Sequence, residues 1–230
     1  MKFVASDKSC LTWSGDCLVV GLSEESLPLT GLLADLNKSM SGLLQELIDE
    51  TDFKAKAGSS AVIRVGGQVR KLAIVGLGAS DELKLEVIRR AAAAAAKLAK
   101  REKCSSLGVS FPIWNNSPAR TAQTIAEGVT LAMHEDKRFK SNADSTKVEL
   151  ADVALLDLPG HAAALDMAAH ICDGVILARE LVAAPPNIVT PSALAETAAA
   201  IANDHGLTLK VLEQAECEDL GMGAYLGVAI

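Results

Sequence analysis

A glycine-rich turn is the first stretch of this chain whose residue types could do chemistry. The hexapeptide GLGASD, residues 76–81, follows a strand-like run and precedes a helix-like one. Backbone N–H groups at the start of a helix can hold a phosphate. A dinucleotide-binding fingerprint would need glycine at position 81, where this chain has Asp81, whose charge repels phosphate. We therefore interpret the stretch as a tight strand-to-helix turn, with phosphate binding as the alternative.

Histidines and acidic residues could together hold a metal ion, but their spacing does not favour it. His134 and Glu135 begin like a zinc-binding helix, yet position 138 is arginine instead of a second histidine. The acidic stretch EQAECED, residues 213–219, could attract a hard cation, although carboxylates at the start of a short helix also interact favourably with its dipole. We expect surface or capping roles for the histidines and a helix-start role for the acidic residues: His134, His161, His170 and His205; Glu213, Glu216, Glu218 and Asp219.

Nucleophiles give no further candidate. The five cysteines are odd in number and scattered without a CxxC pair, which is typical of reduced thiols inside a cell: Cys10, Cys17, Cys104, Cys172 and Cys217. No G-x-S-x-G elbow is present. Spacing alone thus assigns no catalytic, no cofactor-binding and no metal-ligating residue.

Composition excludes some partners. The 230 residues carry a formal net charge of −7 and only 3% aromatic residues, which argues against nucleic-acid binding by phosphate neutralisation or base stacking. The first residues lack the apolar core of a secretory signal, and no stretch reaches the roughly 18 apolar residues of a membrane span. We expect an intracellular chain without a membrane partner.

Strand-like and helix-like segments alternate along the chain, which predicts an α/β layer architecture. The glycines between residues 61–65 and 71–77 predict a hairpin, so the sheet should be mixed. Thr190, Pro191 and Gly206 have the residue types that start and close a helix. We predict strands at 17–22, 61–65, 71–77, 106–111, 151–158 and 207–212, and helical segments at 29–48, 81–100, 118–136, 161–182 and 191–205.

Proline and glycine at 159 and 160 predict a domain boundary. We therefore predict one α/β domain over residues 1–158 and the beginning of a second over residues 159–230.

A long stretch in the second half resembles a known family. The segment GVILARELVAAPPNIVTPSALAETA, residues 174–198, is similar to the opening of the catalytic domain of leucyl aminopeptidases, the cytosol aminopeptidase family. Ala184 stands where many members have asparagine. LEQAECEDLGMGAYLGVA resembles the family's next signature, and KLAIVGLG with the alanine-rich helix resembles its N-terminal domain. The matching residues of the first segment are Leu177, Ala178, Arg179, Glu180, Leu181, Val182, Pro186, Asn187, Thr190, Pro191, Leu194 and Ala195.

This resemblance implies an N-terminal domain similar to the macro fold and the first part of an α/β metallo-aminopeptidase domain. It also implies two divalent metal ions, manganese or zinc, which activate a water molecule that releases the N-terminal amino acid of a peptide. The family ligands are a lysine, aspartates and a glutamate, in stretches that resemble K-G-x-x-F-D-x-G-G and N-T-D-A-E-G-R. Peptide substrates, a homohexamer and a cytoplasmic location are implied too, or a plastid if a targeting segment is missing.

The last residues depart from the family pattern. Gly227, Val228 and Ala229 match it, whereas Ile230 stands where glutamine is expected, and neither ligand stretch occurs in the 230 residues. We expect a truncated chain that holds no metal, is inactive alone and loses hexamer contacts, and we leave open whether it is itself an enzyme. The alternatives are a macro-like module that binds ADP-ribose near Gly76 and Gly78, and a chaperone-like or DNA-associated role.

Overall fold

Six strands form one mixed sheet in the computed structural model, which describes residues 1–139 and 148–228. The strand order is β1-β6-β5-β2-β4-β3, and every neighbouring pair is parallel except β3 with β4. The predicted mixed α/β sheet is therefore confirmed. The strands are β1 (Lys2–Ala5), β2 (Gly15–Ser23), β3 (Ser60–Gly66), β4 (Val69–Gly78), β5 (Ser106–Ser110) and β6 (Asp152–Leu155).

The one antiparallel pair is the predicted hairpin. Gly67 and Gln68 connect β3 to β4, and Gly66 and Gly67 both have a φ of 82°, a left-handed conformation that glycine adopts without strain. The sequence signal for this turn was reliable because its backbone requires glycine.

Eight α-helices lie in the described residues. Most agree with the predicted helical segments, but residues 29–48 form two helices instead of one, because Ser41 and Gly42 take positive φ values of 56° and 89°. The helices are α1 (Gly31–Ser39), α2 (Leu43–Glu50), α3 (Leu85–Arg101), α4 (Pro118–Met133), α5 (Ala162–Ala183), α6 (Pro191–His205), α7 (Gln214–Asp219) and α8 (Gly223–Leu226), with short 3-10 helices at Glu24–Ser26, Ser80–Glu82 and Trp114–Asn116.

Helices cover both faces of the sheet. Alternate residues of β2 point to opposite sides: Cys17 and Val19 pack with α3 and α4, whereas Leu18 and Val20 pack with α1 and α2. Burial on both faces explains why β2 and β4 are nearly continuous apolar runs.

The alanine-rich stretch lets α3 pack closely against its neighbours. Ala91, Ala92, Ala95 and Ala96 are all buried. Gly128 on α4 lies so near α3 that an added Cβ would be 2.4 Å from the carbonyl oxygen of Arg89. Small residues on both helices therefore set the distance between them.

The chain divides into two units, Met1–Ala178 and Arg179–Ile230, and the sheet belongs to the first. In the second unit, the Thr190 side chain accepts a hydrogen bond from the N–H of Ala193 at 3.2 Å, and Gly206 ends α6 in a left-handed conformation, as predicted. The domain boundary predicted after residue 158 stays a prediction.

The strand predicted at residues 207–212 was wrong. These residues have no regular secondary structure, and Leu207, Leu209 and Val211 are exposed. A strand forms only when its backbone groups pair with another strand, and the described part of the second unit contains none.

Across residues 1–139 and 148–228, no helix combines the length and apolar character needed to cross a bilayer.

Candidate functional site

A crevice opens where the parallel strands end. Because β2, β4, β5 and β6 run in one direction, their carboxyl ends meet at the same edge of the sheet. After β2 the chain turns toward β3 and β4, and after β5 it turns toward β6 on the other side. Ligands of open α/β sheets bind at such a divergence.

The crevice has a volume of about 420 Å³, within the range of small-molecule sites. One wall is apolar, and hydroxyl groups and one carboxylate lie along the strand ends. We call it the strand-end crevice. Its lining residues are Val20, Gly21, Ser23, Ser26, Leu32, Leu33, Leu77, Ala79, Ser80, Leu83, Ser110, Phe111, Pro112, Ile113 and Asp157.

Phe111 shapes the crevice because it packs directly against β2. A Cβ added to Gly21 would lie 2.7 Å from the Phe111 ring, so glycine at position 21 makes room for this side chain. The aromatic ring therefore covers the end of β2 and gives the crevice part of its apolar surface.

Asp157 is the only charged residue among those that line the strand-end crevice. It follows β6 with a φ of 59°, and its N–H donates to the carbonyl oxygen of Lys8 at 3.1 Å. Its carboxylate has no hydrogen bond or ion pair to any of the described residues, and partial burial raises its pKa. Asp157 is thus an exposed carboxylate at the crevice that has no protein partner among the described residues.

Ser110 connects the crevice to a buried thiol. Cys10 is 2% exposed, and burial raises the pKa of its thiol, while a hydrogen bond with Ser110 lowers it and the charge of Asp157 raises it. Cys10 therefore stays a protonated thiol at neutral pH, and its side chain forms a hydrogen bond with Ser110, which lines the crevice.

The GLGASD turn is not free to bind phosphate. The N–H groups of Gly76, Gly78 and Ser80 already donate to the carbonyl oxygens of Ser59 and Ala55 and to the Glu25 carboxylate, each at 2.9 Å. The two glycines have structural causes. A Cβ at Gly76 would lie 2.1 Å from a backbone oxygen, and Gly78 has a φ of 77°. The tight-turn interpretation agrees with this geometry, and the ADP-ribose alternative gains no support from it.

The histidines lie at helix ends or on the surface. His134 follows the last residue of α4, His161 precedes α5 and accepts from Ala164, His170 is exposed on α5, and His205 is the last residue of α6. None of them belongs to a group of three or more potential metal ligands among the residues that the structure describes.

The acidic stretch starts and stabilises α7. The Glu216 carboxylate accepts from the N–H of Glu213 at 3.1 Å and pairs with Lys210 at 3.1 Å, and Glu218 accepts from Gln214 at 2.8 Å. The bond between Glu213 and Glu216 is part of a capping box at the helix start. The predicted helix-start role therefore fits, and no ligand is needed to explain the stretch.

All five cysteines are buried free thiols, as expected of a reduced chain. Cys17 and Cys104 are neighbours between the sheet and α3, and burial raises the pKa of Cys17 to about 12. Cys17 is therefore not positioned as a nucleophile, because a thiol with so high a pKa carries almost no thiolate at neutral pH. Cys104 is fully buried.

The residues present do not fit a dinuclear metal centre. Within residues 1–139 and 148–228, no three His, Cys, Asp or Glu side chains come together as metal ligands. The family-like residues of 177–195 instead cover the end of α5, the connection through Pro185 and Pro186, and the start of α6. Ala229 and Ile230 lie outside the described residues.

Comparison with known proteins identifies two family domains. Residues 19–143 match the family model described as cytosol aminopeptidase family, N-terminal domain, and residues 176–230 match its catalytic domain. A "Probable cytosol aminopeptidase" of Nostoc punctiforme is 54% identical over 100% of this chain and 47% of its own length. One of a Cyanothece species is 52% identical over 95% of this chain and 45% of its own.

Solved structures agree with these matches. A mutant of tomato leucine aminopeptidase superposes with a TM-score of 0.89 at 33% identity, over 98% of this chain and 47% of its own. The bottromycin maturation enzyme BotP, solved in complex with Mn, has a TM-score of 0.68 at 22% identity, over 90% of this chain and 40% of its own, and shows a similar fold. The chain thus spans about half the length of the curated relatives that it matches.

Proposed function

The chain belongs to the cytosol aminopeptidase family, and we propose that it is the scaffold half of a metal-dependent aminopeptidase that releases N-terminal amino acids from peptides. The observation that carries the proposal is the match of both family domains in the expected order along one chain. The relatives named as aminopeptidases support it over the full length of this chain.

We further propose that these 230 residues do not hydrolyse peptides alone. The family resemblance implies that two divalent ions, manganese or zinc, activate the water molecule. It also implies that a lysine, aspartates and a glutamate bind these ions. The two stretches that carry those ligands have no counterpart here. What this chain supplies is the helix start at Thr190, the α5–α6 connection and the N-terminal sheet.

Two proteins test the proposal together. The first is this chain with Mn²⁺ or Zn²⁺ and a chromogenic leucine amide, for which we expect no chelator-sensitive turnover. The second is a chimera in which residues 1–230 replace the matching half of the Nostoc relative, for which we expect turnover that a chelator abolishes. The unmodified relative is the positive control, and circular dichroism confirms that each protein is folded.

Each of the two experiments can contradict a different part of the proposal. Chelator-sensitive turnover by residues 1–230 alone would show that the chain holds its own metals. A folded but inactive chimera would show that this half does not support catalysis by the relative, which contradicts the scaffold role.

A homohexamer and a cytoplasmic location are proposals that rest on the family resemblance and on the relatives' names. For this chain alone we expect weakened assembly and nonspecific self-association, because Val182 (87% exposed), Leu220 (64%) and Tyr225 (65%) present apolar surface to solvent. Light scattering should show concentration-dependent association that Val182→Lys with Leu220→Lys reduces. A monodisperse monomer at high concentration would contradict this expectation.

A further inference from the structure

The strand-end crevice has the location of a ligand site. It lies between the carboxyl ends of β2 and β5, where the connections leave in opposite directions. Its residues belong entirely to the unit Met1–Ala178. Ligand binding in the crevice can therefore be measured on this chain, whether or not the chain hydrolyses peptides.

The walls determine which part of a ligand lies where. Leu33, Leu77 and Phe111 supply the apolar side, which favours an alkyl or ring group. At the end of the neighbouring strands, Ser110 and Asp157 supply a hydroxyl and a carboxylate. A ligand that fits both sides has an apolar body and a hydrogen-bond donor at one end.

The charge of the crevice indicates which class of ligand it can bind. Lys, Arg and His are absent from the lining residues, all of which the structure describes, so a phosphate or carboxylate would meet no cation and would be repelled by Asp157. An ammonium group would instead give this carboxylate the partner that no described residue provides. A charge-assisted hydrogen bond of this kind is roughly twice as strong as a neutral one.

We propose that the strand-end crevice binds a small organic ammonium compound with an apolar body, its ammonium on Asp157 and its body against Phe111 and Leu77. This is a second site, separate from the metal-dependent chemistry proposed for the full-length protein. Neutral alcohols of the same shape should bind weakly, and the corresponding carboxylic acids should not bind.

Isopentylamine is a suitable probe, because it has no amide bond and cannot report peptide hydrolysis. Titration of the 230-residue chain at pH 7.5, followed by two-dimensional NMR, should give saturable shifts at Ser110–Ile113 and Asp157, with a dissociation constant on the order of millimolar, as for other very small ligands. The alcohol 3-methylbutan-1-ol should bind at least about tenfold more weakly, and 4-methylpentanoate should cause no saturable shift.

Two aspartates of the same strand region give a matched pair of variants. Asp157→Asn keeps the shape and the left-handed backbone that asparagine tolerates, and we expect it to weaken isopentylamine binding at least about tenfold. Asp152→Asn, at the opposite end of β6, removes an exposed aspartate outside the crevice and should leave binding unchanged.

A third variant tests the apolar wall. Leu32, 45% exposed on α1, lines the crevice, so Leu32→Trp should obstruct it and weaken isopentylamine binding without altering the core.

Equal binding by Asp157→Asn, saturable binding of 4-methylpentanoate, or shifts confined to residues outside the crevice would each overturn the proposal. An NMR spectrum of each variant with native dispersion confirms the fold.

Discussion

Gly128→Ala tests how closely α3 and α4 pack. The added Cβ would lie 2.4 Å from the carbonyl oxygen of Arg89 and 3.0 Å from the Cβ of Ala92. Ordinary contact begins at 3.4 Å, so the backbones must separate by about 1 Å (3.4 − 2.4). Neither atom belongs to the end of a flexible side chain, which means that the helices themselves must move.

The magnitude follows from two opposing effects. Overpacking a well-packed core costs about 1–3 kcal/mol, and separating two helices along a stripe of buried alanines favours the upper part of that range. Replacing glycine with alanine inside a helix stabilises the helix by about 1 kcal/mol. We therefore expect Gly128→Ala to lower the free energy of unfolding by about 2 kcal/mol, which is roughly a 1 M fall in the urea midpoint.

Gly174→Ala is the matched control. Gly174 lies inside α5 in the same unit, and a Cβ there would meet no atom within 4 Å. Only the helix propensity changes, so this variant should be stabilised by up to about 1 kcal/mol.

Tryptophan fluorescence in urea measures both variants, because Trp13 and Trp114 are the only tryptophans of the chain and both lie in Met1–Ala178. The two variants should shift the urea midpoint in opposite directions with unchanged slopes. If Gly128→Ala unfolds at the same urea concentration as the unsubstituted chain, or at a higher one, the close contact of α3 with α4 is refuted.

Three further predictions concern single contacts. Thr190→Ala removes the cap of α6 and should cost about 1 kcal/mol locally, seen as faster hydrogen exchange in the first helical turn, with Thr190→Ser as the control that keeps the bond. Glu102→Gln removes the ion pair with Lys71 at 2.6 Å. That hydrogen bond lowers the pKa of Glu102 below its ordinary 4.5, so the pair stabilises the fold above that pH and is lost as pH falls through the lower native pKa. Urea titrations should therefore show a loss of about 1 kcal/mol for this variant at pH 7 that becomes smaller as the pH is lowered below 4.5. Cys17, with its pKa raised to about 12, should react with a disulfide reagent at pH 8 only after denaturant is added, and labelling in the native state would contradict its burial.

Elements with local sequence causes were predicted well. The hairpin depends on glycines, α4 begins at Pro118, and α6 has both of its predicted ends, because each of these features requires a particular residue type at one position. The leucine-rich segment shows the limit: its helical spacing continues across residues 40–42, yet the left-handed Gly42 begins a new helix there.

Two segments whose structure depends on distant partners were not predicted correctly, namely the strand β1, which was missed, and residues 207–212. The four-residue edge strand β1 has no distinctive pattern and forms only because β6 lies beside it. Residues 207–212 show the reverse case, in which a strand-like pattern has no described partner. Periodicity records which side of a segment is apolar, but pairing depends on what the rest of the chain places next to it.

The same distinction explains why the strand-end crevice could not be read from the sequence. Gly21, Ser110 and Asp157 are separated by more than forty residues at each step and match no motif. They come together only because parallel strands end at one edge, so the signal lies in the strand order, which local spacing does not encode. The GLGASD turn shows the opposite error, since its motif-like glycines are explained by a close backbone approach and a positive φ. Functional inference for this chain therefore depends on which polar groups remain without partners after folding, and the Asp157 carboxylate is one of these.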